Sequence, residues 1–242
     1  MTVFIYSGKG VSHFSLQETL MTFQKLLPKT EVKTINSQGI RDGHWQQEAS
    51  LLIVPGGRDI PYDRHLSGTG TDSIRSFVEK GGAFIGICAG AYFASKEVIF
   101  EKGTSLEVHE ERQLQFYPGS AVGALFRFRP FQYRSENGAH APLIKLESQS
   151  LPLYYNGGCY FSKAQTHLVK VIGTYQAYQD KAAIISCTIG KGKAYLSGVH
   201  FEVRPETLLK ENTPEEVYLT LKKFDEERQI FLQSLLKELS LS

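Results

Sequence analysis

A chain of 242 residues is long enough to bury the core of one large α/β domain. Lysine and arginine total 27 against 25 aspartate and glutamate, for a formal net charge of +2, and no basic run forms a stripe, so nucleic acid is disfavoured as the main partner. Cys88, Cys159 and Cys187 fit neither a disulfide framework nor a zinc-ligand spacing, which points to a reducing, cytoplasmic setting. No apolar run approaches the roughly 20 residues of a bilayer span, and Met1–Tyr6 is interrupted by Ser7-Gly8-Lys9-Gly10 too soon to read as a signal peptide.

Val3–Tyr6 predicts a buried strand, and Leu16, Leu20, Phe23 and Leu27 mark an amphipathic helix ended by Pro28. Glu31–Ile35 alternates like a strand, while Ala49–Val54 is a continuous apolar run closed by Pro55-Gly56-Gly57, the pattern of a central parallel strand. Thr71–Lys80 carries Ile74, Phe77 and Val78 on one helical face before Gly81-Gly82. Ala83–Ile87 then runs into Cys88. From Leu114 to Val171 aromatic and turn residues predict antiparallel strands and long loops. Ala182–Ile189 and Lys193–Ser197, joined by Gly190-Lys191-Gly192, predict a hairpin. From Pro214 the apolar stripe through Val217, Leu221, Phe224, Phe231, Leu235 and Leu239 predicts a C-terminal helix over 214–240. Alternating strands and helices predict one α/β domain over 1–242, with a parallel sheet covered on both faces and ligands at the carboxyl ends of its strands.

Cys88 ends a strand in Gly86-Ile87-Cys88-Ala89-Gly90, where small residues permit a sharp strand-to-helix turn, the geometry of a nucleophile elbow. A buried cysteine in an ordinary βα turn is the competing reading. A thiol attacks a carbonyl well when a base takes its proton and a third group orients the base. His200 and Glu202, two residues apart directly after a strand, share a face if extended and supply both roles; a surface or capping role is their alternative. Backbone N–H groups of Ala89 and Gly57 are candidates for an oxyanion hole. Gly8-Lys9-Gly10 lacks the rest of a phosphate loop and reads as a turn. His109-Glu110-Glu111-Arg112 reads as a solvated charged face. Cys187 and Cys159 read as packing residues, and no metal or cofactor is expected.

Taken in order, Pro55-Gly56-Gly57, Gly-x-Cys-x-Gly and His-x-Glu resemble a class I glutamine amidotransferase domain. Pro55–Tyr62, Gly86–Tyr92, Phe116–Gly119, Ser135–Ala139 and Tyr154–Gly158 resemble more closely the amidotransferase-like N-terminal region of biotin-protein ligases and its free-standing bacterial relatives, over roughly residues 1–205. The resemblance implies a flavodoxin-like three-layer α/β/α fold and a Cys88-His200-Glu202 triad acting on a carboxamide or related acyl group of a small molecule. Arg58, Asp59, Tyr62, Tyr92, Tyr154, Tyr155 and Asn156 are the candidate substrate-binding residues, and a partner enzyme is a candidate acceptor of the product. Two departures leave the substrate open: Tyr92 stands where glutaminases of this class carry Gln, and Phe201 where they carry Pro between His and Glu. The chain has neither a Gly-Arg-Gly-Arg-type adenylate loop nor a Met-Lys-Met, so biotin transfer is not expected of it. A binding or regulatory module that keeps the fold without turnover, and a cysteine peptidase on a related fold, are the alternatives.

Overall fold

Every residue of the first strand, β1 (Thr2–Tyr6), is buried, so the sheet it joins is covered on both faces. The computed structural model describes residues 1–126, 128, 131–132, 135–164, 167–179 and 181–239. After β1 come α1 (His13–Leu26), β2 (Glu31–Ile35), α2 (Ser37–Asp42), β3 (Ala49–Val54), α3 (Asp59–Leu66), α4 (Thr69–Glu79), β4 (Ala83–Ile87) and α5 (Ala89–Phe93). Ser12 starts α1 by accepting the Ser15 N–H, and Asn36 caps α2 through Gly39 N–H. Strands β2, β1, β3 and β4 lie side by side in that order, all parallel.

Strand alternation sorts the core into two layers. Val3, Ile5, Leu51, Ile53 and Ile85 pack with Phe23 and Leu27 at the end of α1 and with Phe231, Leu232 and Leu235 from the C-terminal helix. Phe4, Leu52, Val54 and Phe84 face the other way, onto Ile40, Leu66, Ile74 and Phe77 of α2, α3 and α4. The result is the expected α/β/α arrangement. Each fully buried side chain of this size contributes about 1.5–3 kcal/mol.

Beyond α5 the chain extends the same sheet through β5 (Ser95–Phe100), β6 (Val108–Glu111), β7 (Tyr117–Gly123), β8 (Leu143–Lys145), β9 (Ser150–Pro152), β10 (Cys159–Ser162) and β11 (Val169–Tyr175). The expected hairpin forms from β12 (Lys181–Ile189) and β13 (Gly192–Ser197). Strand β13 inserts parallel beside β4, with Ser197 level with Ile87. That register sets residues 198–202 next to the end of β4, and hence next to Cys88. The main path is β2-β1-β3-β4-β13-β12-β10-β7-β5-β6, and β11, β8 and β9 branch from β12 in that order.

The expected helix after Cys88 is five residues long and passes directly into β5. The aromatic region pairs antiparallel within itself, as expected, and β7 also joins β5 in parallel. Two sequence expectations change. The charged run His109–Glu111 is exposed on β6, but Arg112 is buried, ion-paired with Asp59 and Glu110. The C-terminal helix expected over 214–240 is two: after α6 (Pro205–Leu208), α7 (Glu215–Lys223) ends on Lys222 and Lys223, Phe224 leaves helical geometry, and Asp225, Glu226 and Glu227 open α8 (Asp225–Glu238). Those charges favour a C-terminus followed by a new N-terminus. Among the described residues no helix is long and apolar enough to cross a membrane.

Gly90 shows how tightly α5 sits on the sheet, since a Cβ there would run into the Val54 carbonyl. Gly90→Ala is expected to cost roughly 2–3 kcal/mol and to lower the melting temperature by about 5 °C or more. Thermal unfolding followed by circular dichroism checks this, and an unchanged melting temperature contradicts it.

Candidate active site

Cys88 follows β4 with φ 51° and ψ −105°, a conformation that L-residues rarely adopt. It is held from both sides. Its N–H donates to Ser197 O at 2.8 Å, and its carbonyl accepts from Ala91 and Tyr92 N–H at 2.9 and 3.0 Å. This is elbow geometry, with the side chain in the wall of a cavity of about 410 Å³, a volume suited to a small-molecule ligand. Cys88 itself is 7% exposed.

Gly198-Val199-His200-Phe201-Glu202 leaves β13 and is clamped by its surroundings. His200 N–H donates to Tyr154 O at 2.7 Å, Thr22 Oγ1 of α1 donates to Glu202 O at 2.7 Å, and Arg228 Nη1 of α8 donates to Phe201 O at 2.8 Å. With the backbone fixed, His200 Nδ1 meets Glu202 Oε1 at 2.7 Å, and the imidazole and Cys88 line the same cavity. Glu202 is fully buried and His200 nearly so. Burial works to depress the His200 pKa, but the Glu202 carboxylate and the Cys88 sulfur outweigh it and hold the imidazole well above its ordinary value.

The third wall is the turn after β3. Gly57, at φ 150°, pairs with Val11 as an isolated antiparallel bridge whose bonds are Ser12 N–H to Gly56 O and Arg58 N–H to Gly10 O. Gly57 N–H lies outside that bridge. Any Cβ at Gly57 would strike Gly10 O and Ser12 N, so the turn requires glycine. Asp59 opens α3 and is tied to Arg112 Nε at 2.8 Å. Burial raises the Asp59 pKa, and the Arg112 guanidinium opposes the rise. Ala89 N–H, first in α5, has no intrahelical acceptor. The two proposed oxyanion donors, Gly57 and Ala89, both line the cavity.

Cys88, His200, Arg58, Asp59, Tyr92, Tyr154 and Asn156 line the same cavity, and Glu202 stands behind His200. Tyr62 and Tyr155 do not line it. Tyr62 lies on the core side of α3, against Tyr6 and Phe93, with its hydroxyl donating to Pro55 O and Gly56 O. Tyr155 points away from its neighbours Tyr154 and Asn156, into a cluster with Phe126 and Tyr175, and its hydroxyl donates to Gly158 O at 2.8 Å. That difference is strand alternation, a signal present in the sequence. Tyr92 donates to Gly157 O at 3.2 Å. Glu136 is a cavity residue that sequence reasoning did not single out, although it lies within the Ser135–Ala139 motif.

The fold is glutamine amidotransferase-like. The structure aligns over the whole of both chains with a glutamine amidotransferase from Thermotoga maritima, at a TM-score of 0.59 and 15% identity. Within that class, the chain belongs to the biotin-protein ligase, N terminal, family, which it matches over residues 1–242. It is 38% identical over 219 residues to a biotin–protein ligase of Schizosaccharomyces pombe, covering 85% of this chain and 34% of that protein. It is 37% identical over 212 residues to an uncharacterized protein of Chlamydia muridarum, covering 84% of this chain and 81% of that one. The chain thus spans about a third of the length of the S. pombe ligase.

Because the folded pKa of His200 is raised above the unfolded value of about 6.5, the stability it contributes is fully present below that pH and is lost as pH rises through the folded value. NMR of the ring nitrogens is expected to find His200 still protonated above the pH at which a solvent-exposed histidine has lost its proton. A ring already neutral there contradicts the reading.

Proposed function

We propose that the chain is a cysteine-nucleophile enzyme of the amidohydrolase or amidotransferase type, acting on a carboxamide or related acyl group of a small molecule. The observation that supports it is one buried imidazole that lines the same cavity as the turn cysteine and is held from behind by a buried carboxylate. In the first half-reaction the proton of Cys88 rests on His200 and the sulfur attacks the carbonyl carbon. Negative charge develops on the carbonyl oxygen, facing the N–H groups of Ala89 and Gly57. The carbon–nitrogen bond breaks as His200 hands its proton to the departing amine, leaving a thioester on Cys88. Water, losing a proton to His200, then attacks the thioester; the acid leaves and Cys88 regains a proton. Glu202 holds the imidazole with Nδ1–H inward, so that the other nitrogen faces the sulfur.

Tyr92 shapes the substrate side of this reading. Its ring packs on Phe100 and its hydroxyl is committed to Gly157 O, so the cavity wall differs from that of a glutaminase with Gln at the same place.

Iodoacetamide alkylation, followed cysteine by cysteine by mass spectrometry, tests the proposal. At a fixed pH, His200→Ala is expected to slow alkylation of Cys88 about tenfold or more, and to leave Cys159 and Cys187 unchanged. A Cys88 rate unmoved by His200→Ala would overturn it.

A further inference from the structure

On the side of the cavity away from the Gly57 and Ala89 N–H groups, the wall beside the thiol carries hydrogen-bond acceptors. The Asn156 main-chain carbonyl lies 3.9 Å from Cys88 Sγ, and the Asn156 side chain, in a residue only 8% exposed, forms part of the same wall. Its Nδ2 donates to Glu136 Oε2 at 2.6 Å and to Ser135 O at 3.3 Å. Two acceptors there can be served only by the NH₂ end, so the amide orientation is fixed and Oδ1 must face elsewhere. Among the described residues Oδ1 has no hydrogen-bond partner. A buried acceptor without a donor is costly, and such groups recur where a ligand supplies the missing donor.

The carboxylate next to it strengthens this pattern. Glu136 accepts from the Tyr154 hydroxyl as well as from Asn156, so its partners among the described residues are neutral donors. The other cavity carboxylate, Asp59, is matched by Arg112, and Glu202 behind the wall is matched by His200. Negative charge with neutral partners, beside an unserved amide oxygen, suits a cationic donor.

We infer that Glu136 and Asn156 form a recognition pole for an ammonium group, so that the acyl compound attacked by Cys88 carries an amine close to its carbonyl. The inference rests on the reading of Cys88 as the attacking group and adds the chemistry of the substrate. Tyr154 is the positioning residue, holding the Glu136 carboxylate against the Asn156 amide.

Two methanethiosulfonates of similar size and opposite charge test the pole. The 2-aminoethyl and 2-sulfonatoethyl reagents both form a disulfide with the cysteine sulfur and expel methanesulfinate, and they modify ordinary thiols too. The ratio of their rates at Cys88 is therefore readable whether or not His200 activates the sulfur. The absolute rate and its dependence on His200 report on the nucleophile, and the ratio reports on the pole. Compared with the same ratio for a free cysteine derivative, the wild-type protein is expected to favour the cationic reagent by about tenfold. In Glu136→Gln, with folding checked by thermal melting, the preference is expected to fall to within about twofold of the free thiol, and in Asn156→Leu to fall part of the way. A wild-type ratio equal to that of the free thiol, or a preference kept in folded Glu136→Gln, would overturn the inference. The wild-type ratio decides alone if the variants do not fold.

Discussion

The hydrogen bond from Cys88 N–H to Ser197 O is the constraint on which the site depends. It closes the parallel register between β4 and β13 at the point where both strands end. A one-residue slip would turn every side chain of β13 to the opposite face and carry His200 away from the thiol. The register is fixed in turn by the hairpin, whose Gly190 adopts φ 58°, and by the buried residues of β12 and β13 that face opposite core layers. Distant parts of the sequence are thus made neighbours by strand pairing, before any catalytic chemistry enters.

Placing a histidine and a carboxylate in that buried position carries a desolvation cost, and the structure offsets it locally. Glu202 has one oxygen on His200 and, among the described residues, a second without a partner, so the imidazole is the group that matches its charge. Thr22 and Arg228 hold the backbone on either side, and Glu18 binds Arg204 by both Nε and Nη2 just beyond. Helices α1 and α8 therefore do more than cover the sheet: they fix the segment that carries His200. On the opposite wall Arg112 does the same for the turn after β3, because Asp59 sits at its end, where α3 begins.

Much of this was legible in the amino-acid order. Continuous apolar runs marked β1, β3 and β4, glycine pairs marked their ends, and the Cys88, Gly57 and His200-x-Glu202 signals converge in one cavity because each sits at a strand's carboxyl end. The failures have physical causes. Helix α3 is short and carries Pro61 in its first turn, where proline is tolerated but disguises the helix, so Tyr62 was taken for a cavity residue although it faces the core. Arg112 follows three exposed neighbours, and only its partner Asp59, 53 residues away, explains its burial. Tyr154, Tyr155 and Asn156 read alike as a polar aromatic patch until extended backbone sends the middle one to the other side.

The central claim is that Cys88, His200 and Glu202 act as one unit. A double-mutant cycle on the rate of Cys88 alkylation, using His200→Ala, Glu202→Gln and the pair, measures that coupling directly. If Glu202 acts through His200, the double variant reacts no more slowly than His200→Ala alone. Independent, multiplicative losses, or no loss from either substitution, would contradict the account.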